Sequence, residues 1–136
     1  MSSADGIYEV GTAMSVRAFH VMPGMPPPEG VRHSHDYKLE VTVHRDGLDD
    51  RGMVVDLDAL EAALRAAVAP IDGANLEIIL PPGSAAVTVE VFARWLHGQL
   101  GAAIGPLPAA ELAVRVWESD LAYGGYRHPL DGSNSE

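Results

Sequence analysis

The sequence predicts an α+β fold in which two strands are followed by two helices and then by two more strands. Apolar and polar residues alternate with the period of a half-buried strand over residues 15–21, 33–44 and 111–118. The middle of the chain instead shows helical spacing, in the set Leu57, Leu60, Leu64 and Val68 and in a second set beginning at Val91. Because strands and helices form separate runs, the α+β class is expected.

Length and composition predict one domain. The chain has 136 residues, of which 47% are hydrophobic, so it can bury one core with little apolar material to spare. We expect this domain over residues 7–130, with flexible polar ends at residues 1–6 and 131–136. No apolar run is long enough to span a membrane, and the start resembles no signal peptide, so a cytoplasmic protein without membrane partners is expected.

Charge and cysteine content exclude several classes of function. A net charge of -10, with nine scattered basic residues, argues against nucleic-acid binding. Cysteine is absent, which excludes disulfides, thiolate metal sites and a cysteine nucleophile. Any metal must therefore be held by His, Asp or Glu, and the expected partners are small molecules or copies of the same chain.

The first half of the chain reads as two strands joined by a stiff loop. Residues 7–22 predict a strand or a bent pair of strands, with a bulge or bend at Gly11. Residues 22–30 contain four prolines and two glycines, which excludes a ladder or a helix. Glu29 is the only ionisable residue of this loop. It is a candidate catalytic group, and its alternative is a solvated loop carboxylate.

The second half begins with two helices. The first is expected to be capped by Asp56 or Asp58 and stopped by Pro70, and the second to run from a Thr88 cap to the region of Gly105. Between them, residues 76–80 predict a short strand, followed by a turn over 81–84. Residues 111–118 and 122–127 predict the last two strands.

Histidines open the second strand. Side chains two apart share a face, so His33 and His35 point the same way as Tyr37 and the apolar residues that follow it. The same parity places His20 on the buried face of the first strand, which makes it the candidate third ligand. Neutral imidazole is the commonest metal ligand, so the trio predicts a metal site. The alternative is two polar residues at the mouth of a strand. His97 is expected at the surface or boundary of the second helix, outside such a site.

Several short motifs occur in one order along nearly the whole chain, from about residue 16 to residue 126. They are Ala18-Phe19-His20, His33-Ser34-His35-Asp36-Tyr37, Gly52-Met53-Val54-Val55-Asp56-Leu57, Ile71-Asp72 with Asn75-Leu76, Thr88-Val89-Glu90 and Val116-Trp117-Glu118. In these motifs the chain resembles the family of 6-pyruvoyl-tetrahydropterin synthase and 6-carboxy-tetrahydropterin synthase.

The resemblance implies a fold and a site. The fold is the tunnelling fold, an antiparallel four-stranded sheet in the order ββααββ with two helices on one face, which oligomerises into a barrel with active sites between subunits. A homo-oligomer is therefore expected, a hexamer or another multiple of a trimer or dimer. The resemblance places Zn²⁺ on His20, His33 and His35, and it gives Glu118 the role of anchoring the ring of a pterin-like substrate. The alternative for Glu118 is a strand-end carboxylate that faces water.

Two family residues are replaced. The family cysteine falls on Glu29, and the family Asp-His pair falls on Asp72 and Gly73, so a thiolate and an imidazole are both missing. A branch of the family that cleaves the side chain of dihydroneopterin triphosphate also carries glutamate at the cysteine position, but keeps the histidine. The resemblance therefore implies a zinc-dependent lyase in which Glu29 carries the proton. Asp72 is either a second proton carrier or a helix-end carboxylate.

Two alternatives remain open. In the first alternative, the scaffold has been recruited to a non-pterin substrate, as a zinc-dependent cyclase or dehydratase of secondary metabolism. Loss of two catalytic groups, together with Ser34 and Asp36 in the signature, is what such recruitment predicts. The other alternative is a catalytically inactive homologue that keeps the metal for stability, although a structural zinc site usually has four protein ligands.

Overall fold

Four antiparallel strands form one sheet in the computed structural model, which describes residues 6–79 and 84–132. The strands are β1 (Tyr8–His20), β2 (His33–Arg45), β3 (Ala110–Trp117) and β4 (Tyr123–Pro129), and they lie side by side in chain order. The predicted α+β class and the antiparallel four-stranded sheet are confirmed. Most of the predicted flexible ends lies outside the described residues.

The register of β1 and β2 places the histidines. The strands pair from Tyr8 opposite Arg45 to His20 opposite His33, so the end of β1 meets the start of β2. The predicted parity is confirmed, because Ala18 and Tyr37 are buried on the same face as the rest of the core. The opposite face of both strands carries mostly polar residues that are exposed or half-buried.

The predicted bulge at Gly11 is wrong. β1 is continuous through Gly11, which pairs with Thr42 without interruption. A Cβ at this position would lie 2.8 Å from the carbonyl oxygen of Val41. Glycine is present because the neighbouring backbone approaches closely, not because the strand bends.

Two helices cover the buried face of the sheet. Helix α1 (Leu57–Val68) packs on β1, whereas α2 (Val89–Ile104) packs on β3 and β4, and the helices contact each other. Asp56, not Asp58, caps α1, since its carboxylate accepts hydrogen bonds from the backbone N–H of residues 58 and 59. Thr88 caps α2 as predicted, through the N–H of Val91 at 3.1 Å. Among the described residues, neither helix combines the length and apolar character that a membrane-spanning segment needs.

The predicted short strand over residues 76–80 is wrong. Leu76–Ile79 forms a 3₁₀ turn, and a second 3₁₀ turn, Ala69–Ile71, follows α1. An isolated bridge between Asn75 and Phe19 lies just before this segment, and the described residues of the segment form no ladder with β1. Leu76 is buried whereas Ile78 is exposed, so the apolar run does not present one face to a neighbouring strand. Residue 80 and the predicted turn at 81–83 lie outside the described residues.

Candidate metal centre and adjoining cavity

The three candidate histidines form one cluster. His20 at the end of β1 and His33 at the start of β2 are register partners, and His35 follows on the same face. Ring centroids are separated by 4.5 Å between His20 and His33, 5.3 Å between His20 and His35, and 4.9 Å between His33 and His35. One nitrogen from each ring lies within 4.8 Å of the others. The group can therefore bind one metal ion.

Hydrogen bonding fits the cluster to a metal. Both ring nitrogens of His20 are buried and neither makes a hydrogen bond of normal geometry, although the Val87 backbone lies close to the ring. A buried imidazole without a partner is costly unless something coordinates it. His33 Nδ1 lies 2.7 Å from the carbonyl oxygen of Val31 and donates to it in the tautomer that leaves Nε2 free as a ligand.

The surroundings keep His20 neutral. Burial lowers the pKa of His20 below the usual value for histidine, and the neighbouring His33 and His35 rings lower it further. A metal ligand must be the neutral imidazole, so this shift suits coordination. Tyr37 lies beneath the cluster, with its ring centroid 5.4 Å from that of His35. Burial raises the pKa of the Tyr37 phenol, and the charges of Glu118 and Glu77 raise it further, so it stays protonated.

A cavity of about 350 Å³ opens beside the cluster. All three histidines line it, together with Glu29, Glu118 and the apolar side chains of Met22, Met25, Pro28, Tyr37, Val87, Val89 and Phe92. The loop before β2 forms one wall and is closed by a hydrogen bond of 2.7 Å from the N–H of Met22 to the carbonyl oxygen of Glu29. Glu29 itself is exposed. The structure thus brings Glu29 and Glu118 together with the histidines.

The first turn of α2 forms another wall, which the sequence interpretation did not assign. Thr88, Val89 and Glu90 line the cavity. Gly124 on β4 permits this approach, because a Cβ there would lie 2.6 Å from Val89 Cγ2 and 3.2 Å from the backbone nitrogen of Glu90. The Thr88 cap predicted where α2 starts, but the sequence did not show that this first turn would lie beside the cavity.

The sequence profile of the 6-pyruvoyl tetrahydropterin synthase family matches residues 10–129, which include the histidine cluster, both helices and most of the sheet. The chain belongs to this family. A comparison with curated protein sequences finds no significant match.

Solved structures of 6-pyruvoyl tetrahydropterin synthases have the same fold. The Caenorhabditis elegans enzyme gives a TM-score of 0.73 at 18% identity, over 90% of this chain and 96% of that one. The Plasmodium vivax enzyme gives 0.71 at 16% identity, over 92% and 99%. The Plasmodium falciparum enzyme gives 0.72 at 14% identity, over 90% and 98%. Two further structures of the P. vivax enzyme carry alanine or cysteine in place of a catalytic glutamate.

Asp72 lies apart from the cavity. It follows the 3₁₀ turn Ala69–Ile71, is exposed, and is not among the described residues that line the cavity. The adjacent Gly73 has φ +74° and donates a hydrogen bond of 2.6 Å to the carbonyl oxygen of Arg17. Gly73, where the resemblance leads us to expect a histidine, thus has a backbone conformation that favours glycine.

The expectation of a surface or boundary position for His97 is wrong. His97 is buried, with 8% of its surface exposed, and Nε2 lies 3.1 Å from the carbonyl oxygen of Leu112. Burial lowers its pKa, which backbone contacts to His128 and Leu112 partly oppose. Its ring packs edge-on against Tyr126, with 5.0 Å between centroids. His97 therefore joins α2 to β3 and β4, away from the metal cluster.

A larger groove, of about 510 Å³, lies on the exposed face of the sheet. Polar side chains such as Glu40, Arg115 and Arg127 line it, and it contains none of the residues predicted for the site. Glu40 accepts a hydrogen bond of 2.9 Å from the Trp117 indole, and Arg127 lies 4.0 Å from Glu111. Because the groove holds no predicted site residue, the smaller cavity is the better candidate site.

Proposed function

We propose that this family member is a zinc-dependent lyase acting on the hydroxylated side chain of a pterin-like substrate. One observation carries the proposal. A buried histidine cluster, in which neither nitrogen of His20 has a normal hydrogen bond, opens into a cavity that also holds two carboxylates of the predicted site. This is the arrangement that a catalytic metal site with an open coordination position requires.

We assign His20, His33 and His35 as the ligands of Zn²⁺. Their neutral imidazoles suit zinc, and three protein ligands leave a position for substrate. When bound, the ion supplies Lewis acidity that polarises a substrate carbonyl or hydroxyl and acidifies the neighbouring proton. The chain contributes the orientation of the three rings, because the paired ends of β1 and β2 hold them and Tyr37 packs beneath them.

We assign Glu29 as the proton carrier in place of the family cysteine. It lines the cavity from the loop before β2, and the hydrogen bond that its carbonyl oxygen accepts from Met22 holds that loop closed. A catalytic glutamate in the P. vivax enzyme supports the use of a carboxylate in this family. A carboxylate at the wall can take a proton from the side chain of the substrate and return it elsewhere.

We assign Glu118 as the residue that anchors the ring. It lies just after β3, lines the cavity, and its charge acts on the buried Tyr37 phenol. A carboxylate can accept two parallel hydrogen bonds from the amino and ring N–H groups of a pterin. The apolar walls around it suit a flat heterocycle.

We further propose a homo-oligomer in which copies of the chain complete one another's sites. Among the described residues, no strand pairs with the outer edge of β4, and most of the outer edge of β1 before Arg17 also lacks a partner strand; unpaired edges favour association. Asp72 is exposed and outside the cavity of its own chain, so it takes part in catalysis only if a second copy places it at a neighbouring cavity.

Metal content tests the ligand assignment. Purified protein should contain close to one zinc per chain, and His33→Ala should lose most of it because two imidazoles hold zinc weakly. His128→Ala replaces a half-buried histidine outside the cluster and should keep the zinc. Full occupancy in His33→Ala would refute the assignment.

Turnover tests Glu29. Glu29→Gln is nearly isosteric and cannot exchange a proton, so activity on pterins with hydroxylated side chains should fall roughly 100- to 10,000-fold while zinc and ligand binding remain. Glu61→Gln on α1 makes the same change outside the cavity and should stay active. Glu118→Ala should instead weaken ligand binding. Wild-type activity in Glu29→Gln would mean that another group carries the proton.

A further inference from the structure

Residues 73–77, which follow the 3₁₀ turn after α1, lie against the end of β1 that carries His20. This 73–77 segment makes two backbone hydrogen bonds and a parallel bridge with that end. They are Gly73 N–H to the carbonyl oxygen of Arg17 at 2.6 Å, Phe19 N–H to the carbonyl oxygen of Ala74 at 2.9 Å, and the bridge between Phe19 and Asn75. The segment thus covers the outer edge of β1 at its last residues, next to a proposed metal ligand.

Support at this point matters because two ligands lie where the ladder between β1 and β2 stops. His20 opposite His33 is the last register pair of the two strands. On the other side of β2, pairing with β3 begins only at Lys38, so β3 does not hold this end. Strand ends open more readily than strand centres, since fewer hydrogen bonds must break. The three rings can meet at one ion only while this end stays closed.

Glu77 holds the end of β1 through its side chain. Its Oε2 accepts a hydrogen bond of 3.3 Å from the backbone N–H of Val21, the residue after His20. Burial and the neighbouring histidines lower the pKa of His20, and the charge of Glu77 partly opposes this shift. Glu77 is exposed and is not among the described residues that line the cavity. It therefore acts on the cluster from outside.

Asn75 holds the start of β2 in a similar way. Its side-chain oxygen accepts a hydrogen bond from Nε of Arg32, the residue before His33. The Arg32 guanidinium also lies over the ring of Phe19, 4.3 Å from its centroid, and Phe19 precedes His20. Asn75 and Arg32 thus connect the residues that flank two ligands on different strands.

We propose that Glu77 and Asn75 are positioning residues of the metal centre, which hold the ends of β1 and β2 so that the three rings meet at one ion. The proposal rests on the proposed zinc function and adds two residues to it. Neither residue belongs to the histidine group or lines the cavity, among the residues that the structure describes. Replacing a residue that orients metal ligands from outside typically weakens metal binding about 10- to 100-fold.

The zinc affinity of the purified protein tests the role of Glu77, with competition by a chelator of known affinity giving the Kd of each variant. Glu77→Ala removes the acceptor for the Val21 N–H and should weaken zinc binding about tenfold. Glu77→Gln keeps an acceptor oxygen, so its Kd should stay within about threefold of the wild-type value. Glu61→Ala makes the same truncation on α1, outside the cavity, and should bind zinc as the wild type does.

Cobalt in place of zinc separates a change of geometry from a general loss of stability. The visible absorption of Co²⁺ depends on the arrangement of its ligands, and at saturating cobalt it does not depend on affinity. Glu77→Ala should alter this spectrum, whereas Glu77→Gln and Glu61→Ala should keep it. An unaltered spectrum in Glu77→Ala overturns the positioning role, whatever the affinity. An equal loss in Glu77→Gln overturns it too, because the effect then belongs to the charge. So does a Glu77→Ala chain that circular dichroism shows to be unfolded, because the contact then serves the whole fold.

Asn75 is tested by the same two measurements. Asn75→Ala removes the acceptor for Arg32 and should alter the cobalt spectrum and weaken zinc binding about tenfold. Asn75→Asp keeps an acceptor oxygen and should resemble the wild type. If Asn75→Ala equals the wild type in both measurements, the positioning role of Asn75 is overturned and the ligand assignment stands. A wild-type protein that binds no zinc would instead overturn the ligand assignment and the proposed function, and this proposal with them.

Discussion

Replacement of glycine by alanine should have opposite effects on stability at Gly124 and at Gly98, because only Gly124 lies against the first turn of α2. A Cβ at Gly124 would lie 2.6 Å from Val89 Cγ2, about 1 Å inside normal contact, and 3.2 Å from the backbone nitrogen of Glu90. Valine in a helix has essentially one side-chain rotamer, so Val89 cannot turn away cheaply. Gly124→Ala must therefore move the start of α2 or bend β4.

Gly98 provides the matched control. It lies within α2, is exposed, and a Cβ added there meets no atom within 4 Å. Gly98→Ala should stabilise the fold by about 0.5–1 kcal/mol, since alanine loses less backbone entropy on folding. Gly124→Ala should destabilise it by about 1–3 kcal/mol, the usual cost of overpacking.

Urea unfolding measures the difference. With a slope of about 1–3 kcal/mol per molar urea, a loss of about 2 kcal/mol moves the midpoint down by about 1 M. The protein concentration must be held constant, because oligomers gain stability by mass action. Gly124→Ala should also weaken ligand binding, since Thr88, Val89 and Glu90 line the cavity. A Gly124→Ala variant as stable as Gly98→Ala would refute the close approach of α2 and β4.

Two further predictions concern His97 and Asp72. Burial lowers the pKa of His97, so the unfolded chain binds more protons just below the usual pKa of about 6.5. The free energy of unfolding should therefore fall as the pH drops below that value. Urea unfolding at pH 7.5 and 5.0 should show a smaller loss of stability in His97→Gln than in the wild type, and an equal loss in both would contradict this. If sites are shared between copies, mixing inactive Glu29→Gln with inactive Asp72→Asn and refolding them together should restore part of the activity. An active Asp72→Asn homo-oligomer would instead show that Asp72 is not required.

Local patterns predicted the elements because their causes are local. Thr88 as a cap, the helical stripe of α1 and the alternation along β2 each depend on neighbours within a few residues. Residues 76–79 were misassigned because a short apolar run has the sequence pattern of a strand. Whether such a run pairs with a neighbouring strand depends on the tertiary structure, and here it forms a 3₁₀ turn beside β1 instead.

The histidine site was predictable in composition but not in geometry. Alternation alone placed His33 and His35 on one face and put His20 on the buried face of its own strand. Only the antiparallel register sets His20 opposite His33 and so closes the cluster to within bonding reach of one ion.

Burial and the arrangement of the walls came from the tertiary structure. His97 reads as a boundary residue of its helix, but β3 and β4 cover it and bind it through their backbones. Glu90 enters the cavity because Gly124 lets α2 approach β4, and Asp72 stays outside because its turn follows α1 on the surface. The sequence by itself determined the four strands, the two helices and the candidate ligand residues. Only the packing of distant segments decided which of them share a cavity, since that depends on contacts between residues far apart in the chain.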